Sequence, residues 1–209
     1  MGTQLIRWDG MIGMVTGALL IVWWVLVSIL LPGLNADLDL LVLVDNSTWF
    51  AFNVPGLVAA IFLPGVLVSL YIAQKGIVSK AGQIGFYLSL LGSVIFAWVQ
   101  LEQTLVWPTL VEGAPQLLDI NGPMIRDIPF AATYLSGYAL MGVGLFLFGR
   151  ATLKAGVFPK WAGHLFWFGG LMFGFSGPIP WLRFLAVIAL GTALIWMGYL
   201  LWRDRAAAY

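Results

Sequence analysis

The residue of this sequence best placed to do chemistry is an ionisable one inside a long apolar run. It is Glu102, in Trp98-Val-Gln-Leu-Glu102-Gln-Thr-Leu-Val-Trp107-Pro108. If the run ends near Trp107, Glu102 sits about 7 Å below the outer membrane boundary at 1.5 Å per residue. A charged side chain within a span costs at least ~2.5 kcal/mol on insertion scales, and such groups recur in ligand sites and proton relays. A cation would offset that cost. Arg183, opening the sixth apolar run, and Arg126, ahead of the fourth, are the two on the same side. Such a pair would serve equally well as a lock between helices. Asp119 and Asp127 could join Glu102 in an acid–base set, although nothing in their spacing demands it.

Polar neighbours extend the constellation. Gln100 and Thr104 share a helix face by i, i+4 spacing, while Glu102 points elsewhere. Gln103 lies between them. Asn53 falls near the outer end of the second run, and Tyr134 and Tyr138 share a face of the fourth, where their hydroxyls need partners. Trp98 is one of several tryptophans too deep for the headgroup zone. These deep rings suit packing against lipid and helices, or contact with a flat apolar ligand such as a quinone or carotenoid. The expected ligand-binding set is therefore Asn53, Trp98, Gln100, Glu102, Gln103, Tyr134, Tyr138 and Arg183, with Glu102 the one catalytic candidate.

Other chemistry is largely excluded. There is no cysteine, so disulfides, thiolate catalysis and Cys-based metal sites are ruled out. The single histidine, His164, makes a self-contained metal or haem centre unexpected. It falls across the membrane from Glu102, so the two cannot act as a pair; a hydrogen bond to a neighbouring carbonyl is its ordinary role. No phosphate-binding loop, dinucleotide fingerprint, HExxH or GxSxG motif occurs. A net charge of +1 leaves no footprint for nucleic acid.

The elements that must position these residues follow from composition. Hydrophobic residues make up 61% of the chain and charged ones 9%, against roughly 25% charged in soluble domains. A soluble fold of this size lacks the interior to hide so much apolar surface. Six apolar runs stand out, at 11–31, 49–73, 84–107, 128–149, 161–176 and 181–202. A helix needs about 20 apolar residues to cross the hydrocarbon. Continuous runs exclude a barrel, whose strands alternate. The expected fold is thus an all-α integral membrane protein, a bundle of six transmembrane helices in a single domain. The fifth run is the shortest. The first is too long for a secretory signal and no small-x-small cleavage site follows it.

Charge sorts to one side. Arg7, Lys75, Lys80, Arg150, Lys154, Lys160, Arg203 and Arg205, eight of the ten basic residues, fall in one set of loops and tails. The other set holds Asp37, Asp39, Asp45, Glu112, Asp119 and Asp127, with only Arg126 and Arg183 opposed. The basic side should be the cytoplasm, which puts both termini inside. Trp8, Trp161 and Trp202 fall at the inner boundary and Trp49, Trp107 and Trp181 at the outer one, as amphipathic rings prefer.

Small residues predict close helix approach. Gly85, Ser89, Ser93 and Ala97 form a stripe at spacing four, and Gly13-x-x-x-Gly17 and Gly170-x-x-x-Gly174 read the same way. Pro64-Gly65 falls near mid-membrane and predicts a kink in the second span. A faint repeat links Gly76-Ile-Val-Ser-Lys80-Ala-Gly82 with Gly156-Val-Phe-Pro-Lys160-Trp-Ala-Gly163, each leading from an inner loop into a span.

At Glu102–Pro108, and again at Gly156-Val-Phe-Pro-Lys-Trp-Ala-Gly163, the chain resembles a loose group of small, uncharacterised bacterial polytopic membrane proteins. The resemblance implies a multi-pass protein of the bacterial cytoplasmic (inner) membrane and no particular reaction. Three functions are consistent with the residues. One is a non-catalytic membrane subunit or apolar-ligand-binding protein, holding a quinone, carotenoid or lipid or packing against a larger membrane complex. Another is a membrane-embedded enzyme acting on a lipid or isoprenoid through Glu102. The last is a small-solute transporter hinged at Pro64-Gly65. Membrane lipids, and in the first case other membrane proteins, are the expected partners.

Overall fold

The computed structural model describes residues 2–30, 44–45, 47–118, 128–176 and 180–204. Its helices are α1 (Gly2–Leu30), α2 (Trp49–Ala73), α3 (Lys80–Leu101), α4 (Trp107–Gly113), α5 (Ile128–Ala155), α6 (Lys160–Phe175) and α7 (Pro180–Asp204). A π-helical segment, Glu102–Val106, joins α3 to α4, and a 3-10 turn, Pro115–Leu117, follows. No strand occurs among the described residues.

Among the described residues, five helical stretches are long and apolar enough to cross a membrane: Trp8–Ser28, Trp49–Ala73, Lys80–Gly113, Ala132–Ala155 and Trp181–Arg203. Helix α6, the shortest run in the sequence, has 16 residues, or about 24 Å at 1.5 Å per residue. The helices carry large apolar side chains on their outward faces as well as inside: Ile61, Ile84, Leu91, Leu135, Phe168 and Leu185 are all exposed. A water-soluble monomer rarely exposes so much contiguous apolar surface, and lipid is the solvent such a surface suits.

The long helices close a ring. Each packs on the next, α1 on α2, α2 on α3, α3 on α5, α5 on α6 and α6 on α7, and α7 returns to pack on α1. Glycine sets the tightest seams. The α carbons of Gly142 and Gly174 meet across α5 and α6, and a Cβ on Gly142 would lie 2.9 Å from the α carbon of Gly174. A Cβ on Gly17 would fall 2.4 Å from the Gly191 carbonyl on α7, and one on Gly85 would fall 2.5 Å from the Phe148 nitrogen on α5. These are the small-residue stripes expected from the sequence, and they bring backbone against backbone. Inside the ring, Phe148 and Phe166 pack edge to face at 5.9 Å, and Tyr71 stacks on Phe86 at 4.2 Å.

Local sequence explains the turns. Gly76 and Gly156 both hold positive φ, at 90° and 68°, where a Cβ would be strained. In each case the fourth residue on, Lys80 or Lys160, begins a helix. The buried Val78 and Phe158 occupy matching places before it. Ser79 caps α3 by accepting the Gly82 N–H at 3.3 Å, so α3 starts at Lys80 rather than Ile84. Helix α2 runs unbroken from Trp49 to Ala73 through Pro55 and Pro64. Gly65 faces outward, with no atom within 4 Å of where its Cβ would be. The helix is thus not interrupted at Pro64-Gly65, and Gly65, on the exposed side of α2, faces away from the bundle axis.

The π segment has a sequence cause. Pro108 has no N–H, and its ring would press on the carbonyl four residues back if the α-helix continued. Widening the preceding turn relieves that clash, and the Trp107 N–H accordingly reaches back to the Glu102 carbonyl. Helical structure thus continues to Gly113, six residues beyond the end expected at Trp107. In Pro108→Ala, the segment should relax to α-helix, turning α4 by roughly one residue, about 100°. The stacked Trp49–Trp107 pair, 6.3 Å apart and 11° from parallel, should then separate. Loss of its near-ultraviolet circular dichroism would register the change; an unaltered spectrum would show that proline is not the cause.

Candidate functional site

Near the end of the ring where α2 begins and α3 finishes, the long helices contribute to one layer of polar and aromatic contacts. On α1, the indole N–H of the buried Trp23 donates to Asn53 Oδ1 on α2 at 3.2 Å. Gly56, one turn along α2, makes room for that indole: a Cβ there would lie 2.6 Å from the ring. Asn53 Nδ2 donates to the Trp49 carbonyl at 3.0 Å, and Trp49 Nε1 donates to the Gln103 carbonyl at 2.9 Å. Gln103 Nε2 then donates to Tyr134 Oη on α5 at 3.1 Å. The Tyr134 and Tyr138 rings lie 5.0 Å apart.

From Tyr138 the layer passes to α7. The Arg183 guanidinium carbon stands 5.2 Å from the Tyr138 ring, 5.3 Å from Trp24 and 6.0 Å from Phe173 on α6. Trp24 packs edge to face on Trp23 at 5.3 Å, which closes the circuit. Cation–π contacts of this kind contribute ~0.5–1 kcal/mol when exposed and ~2 kcal/mol or more when desolvated. The hydrogen bond of Arg183 within the described residues runs from Nε to Ser176 Oγ at 3.4 Å. Phe96 floors the layer: it is fully buried and touches Trp23, Tyr138 and Phe173.

Gln100 sits one turn outward of Phe96 on the same helix face, and so points to the bundle axis. Its backbone carbonyl accepts from Thr104 Oγ1 at 2.6 Å. Its side chain is wholly buried, and neither Nε2 nor Oε1 has a hydrogen-bond partner among the described residues. The same holds for Trp24 Nε1. A buried polar group left unpaired costs about 1–3 kcal/mol.

Glu102 stands apart. It is buried on the π segment beside the Trp107 indole, the one side-chain donor the described residues direct at its carboxylate, though the N–H falls short of full hydrogen-bond geometry. No ion pair to Glu102 joins it within the described residues. Arg183, expected as its partner, lies among aromatic rings instead, because three ring faces and Ser176 already surround the guanidinium. Asn53, expected beside Glu102, spends its amide on Trp23 and Trp49. Trp98 is exposed on the outer surface of the ring. Arg126, Asp119 and Asp127 lie outside the described residues. His164 is exposed, and its Nδ1 accepts from the Trp167 indole at 3.2 Å rather than donating to a carbonyl.

Thus Asn53, Gln103, Tyr134, Tyr138 and Arg183 are linked through the contacts above, Gln100 is buried one turn beyond Phe96 on the same helix face, and Glu102 lies beside Trp107 instead. Sequence reasoning counted Trp23 and Trp24 among the deep tryptophans without placing them in the site, and missed Phe96, Phe173 and Ser176. The adjacent tryptophans at 23 and 24 were the available signal, since two consecutive indoles on one helix must point about 100° apart and engage different neighbours. No protein family, curated protein or solved structure matches the chain.

Proposed function

We propose that this is a multi-pass protein of the bacterial cytoplasmic membrane, with six spans and both termini inside, and that it binds an amphipathic, lipid-like molecule without transforming it. The polar part of the ligand would occupy the layer around Gln100, and its apolar part would lie among the surrounding rings. The observation that carries this reading is the Gln100 amide, buried at the bundle axis with both ends unpaired among the described residues. A ligand that completes those hydrogen bonds recovers what burial costs. The reading is favoured over catalysis because Glu102 is turned from the layer and no second acid or base of the described residues accompanies it. It is favoured over transport because Phe96 fills the axis and α2 is continuous.

Purification in mild detergent, followed by mass spectrometry of bound small molecules and proteins, tests it. A single amphipathic compound retained in stoichiometric amount is the expected result. Only bulk phospholipid, or a tightly held partner protein in place of any ligand, would contradict it. The topology is tested separately. The native chain has no cysteine, so Asp45→Cys and Lys154→Cys, both exposed positions, report cleanly. A membrane-impermeant thiol reagent added outside should label the first and spare the second; equal labelling would overturn the map.

A further inference from the structure

We infer that the layer selects an acidic head group, a carboxylate or phosphate carried on an apolar chain, with Arg183 as its anchor. This rests on the ligand-binding reading above and names the class of ligand. The argument is a balance of donors and acceptors. Among the described residues, Trp24 has an unpaired buried N–H and the Gln100 amide nitrogen two, while the half-buried Arg183 gives one donor, Nε, to Ser176 and has four more N–H groups in its fork. Against these stands one unpaired acceptor, Gln100 Oε1. A surplus of donors is matched by a group that only accepts.

Geometry adds a second reason. Guanidinium N–H groups lie in the plane of the group. Ring contacts from Trp24, Tyr138 and Phe173 hold the group in place and supply no lone pairs, so they leave its donors to an anion. A fork of parallel N–H bonds fits two oxygens of one carboxylate or phosphate. An amine head would meet the cation of Arg183, and a neutral alcohol could use only part of the donor set. The carboxylate of Glu102 faces Trp107 on the π segment, not the Gln100 face, and so does not answer the guanidinium. The apolar chain is inferred from the surroundings: Phe96, Tyr138 and Phe173 pack on one another as an aromatic floor below the head, which leaves no polar group there to answer a second hydrophilic part.

Titration of the purified full-length protein, followed by tryptophan fluorescence, tests the inference with five probes: oleate, dioleoyl phosphatidic acid, oleyl alcohol, oleylamine and acetate. Oleate and phosphatidic acid should saturate at concentrations at least about tenfold lower than oleyl alcohol, the equivalent of one charge-assisted bond. Oleylamine and acetate should not saturate. In Arg183→Gln the advantage of oleate over oleyl alcohol should vanish. Arg183→Lys, which keeps the charge and loses the fork, should keep a reduced advantage. Equal binding of oleate and oleyl alcohol to the wild type would overturn the acidic-head assignment while leaving the ligand layer standing. Acetate binding as well as oleate would overturn the need for a chain. No saturable binding by any probe, in protein shown to carry a native ligand by mass spectrometry, would overturn the head-group class alone. Because the wild-type comparison decides by itself, misfolding of a variant would not rescue the assignment.

Discussion

Gly144→Val should abolish the folded bundle. A Cβ at Gly144 would lie 2.2 Å from the Ser89 nitrogen, 2.7 Å from its α carbon and 2.8 Å from the Gly85 carbonyl. All of these are backbone atoms of α3, so no side-chain rotation can clear them. The α3–α5 seam is also the most extensive contact between helices in the ring. Overpacking a tight core costs typically ~1–3 kcal/mol and occasionally more, and a valine wedged against backbone belongs at or beyond the upper end. The variant should aggregate or fail to survive size-exclusion chromatography in detergent. Gly65→Ala is the matched control. With nothing near its Cβ, it should leave the melting temperature unchanged or raise it slightly, since alanine in a helix is favoured over glycine by up to ~1 kcal/mol. A folded Gly144→Val protein melting with the wild type would refute the close seam.

The second large effect carries opposite signs in its two readouts. Gln100→Leu should make the ligand-free protein more stable and should abolish retention of the ligand. The wild-type amide is buried with no partner at either end among the described residues. Replacing a buried polar group that lacks a partner with an apolar one of similar size removes a desolvation cost of about 1–3 kcal/mol. The melting temperature in detergent, measured after delipidation, should therefore rise. Mass spectrometry of the undelipidated variant should find the retained compound gone. A residue that is unfavourable in the empty protein and necessary in the loaded one is the expected signature of a binding group. If Gln100→Leu lowers stability, the amide has a partner in the folded protein and the layer is structural.

Much of the fold was legible because lipid imposes simple rules. Continuous apolar runs marked the helices, and the second run matches α2 residue for residue, Trp49 to Ala73. Glycine spacing marked the seams at Gly17, Gly85 and Gly174. Ends were harder to place: α3 begins at Ser79's cap, and polar residues such as Lys80 and Gln83 extend it where hydropathy alone stops at Ile84. The π segment was hidden because one missing N–H at Pro108 rewrites the hydrogen bonding of the turn before it, an effect hydropathy does not register. The layer was legible only in part. Gln100, Gln103, Asn53, Tyr134, Tyr138 and Arg183 were chosen as polar residues at one depth, and depth can be counted along a helix. Which of them face each other depends on rotation about each helix axis, and the widened turn at 102–106 shifts that rotation for every residue beyond it. The same turn brings Trp107 over Glu102, the most conspicuous residue in the sequence, while Arg183 is taken up by aromatic rings and Ser176.

The most direct test is to place a photoreactive phenylalanine analogue at Tyr134, on the inner layer, and at Trp98, on the outer surface, and to irradiate cells expressing each. The account predicts one adduct of a single small-molecule mass from the inner position and a mixture of membrane phospholipids from the outer one. The same phospholipid mixture from both positions, or cross-links at Tyr134 to the chain alone, would contradict it.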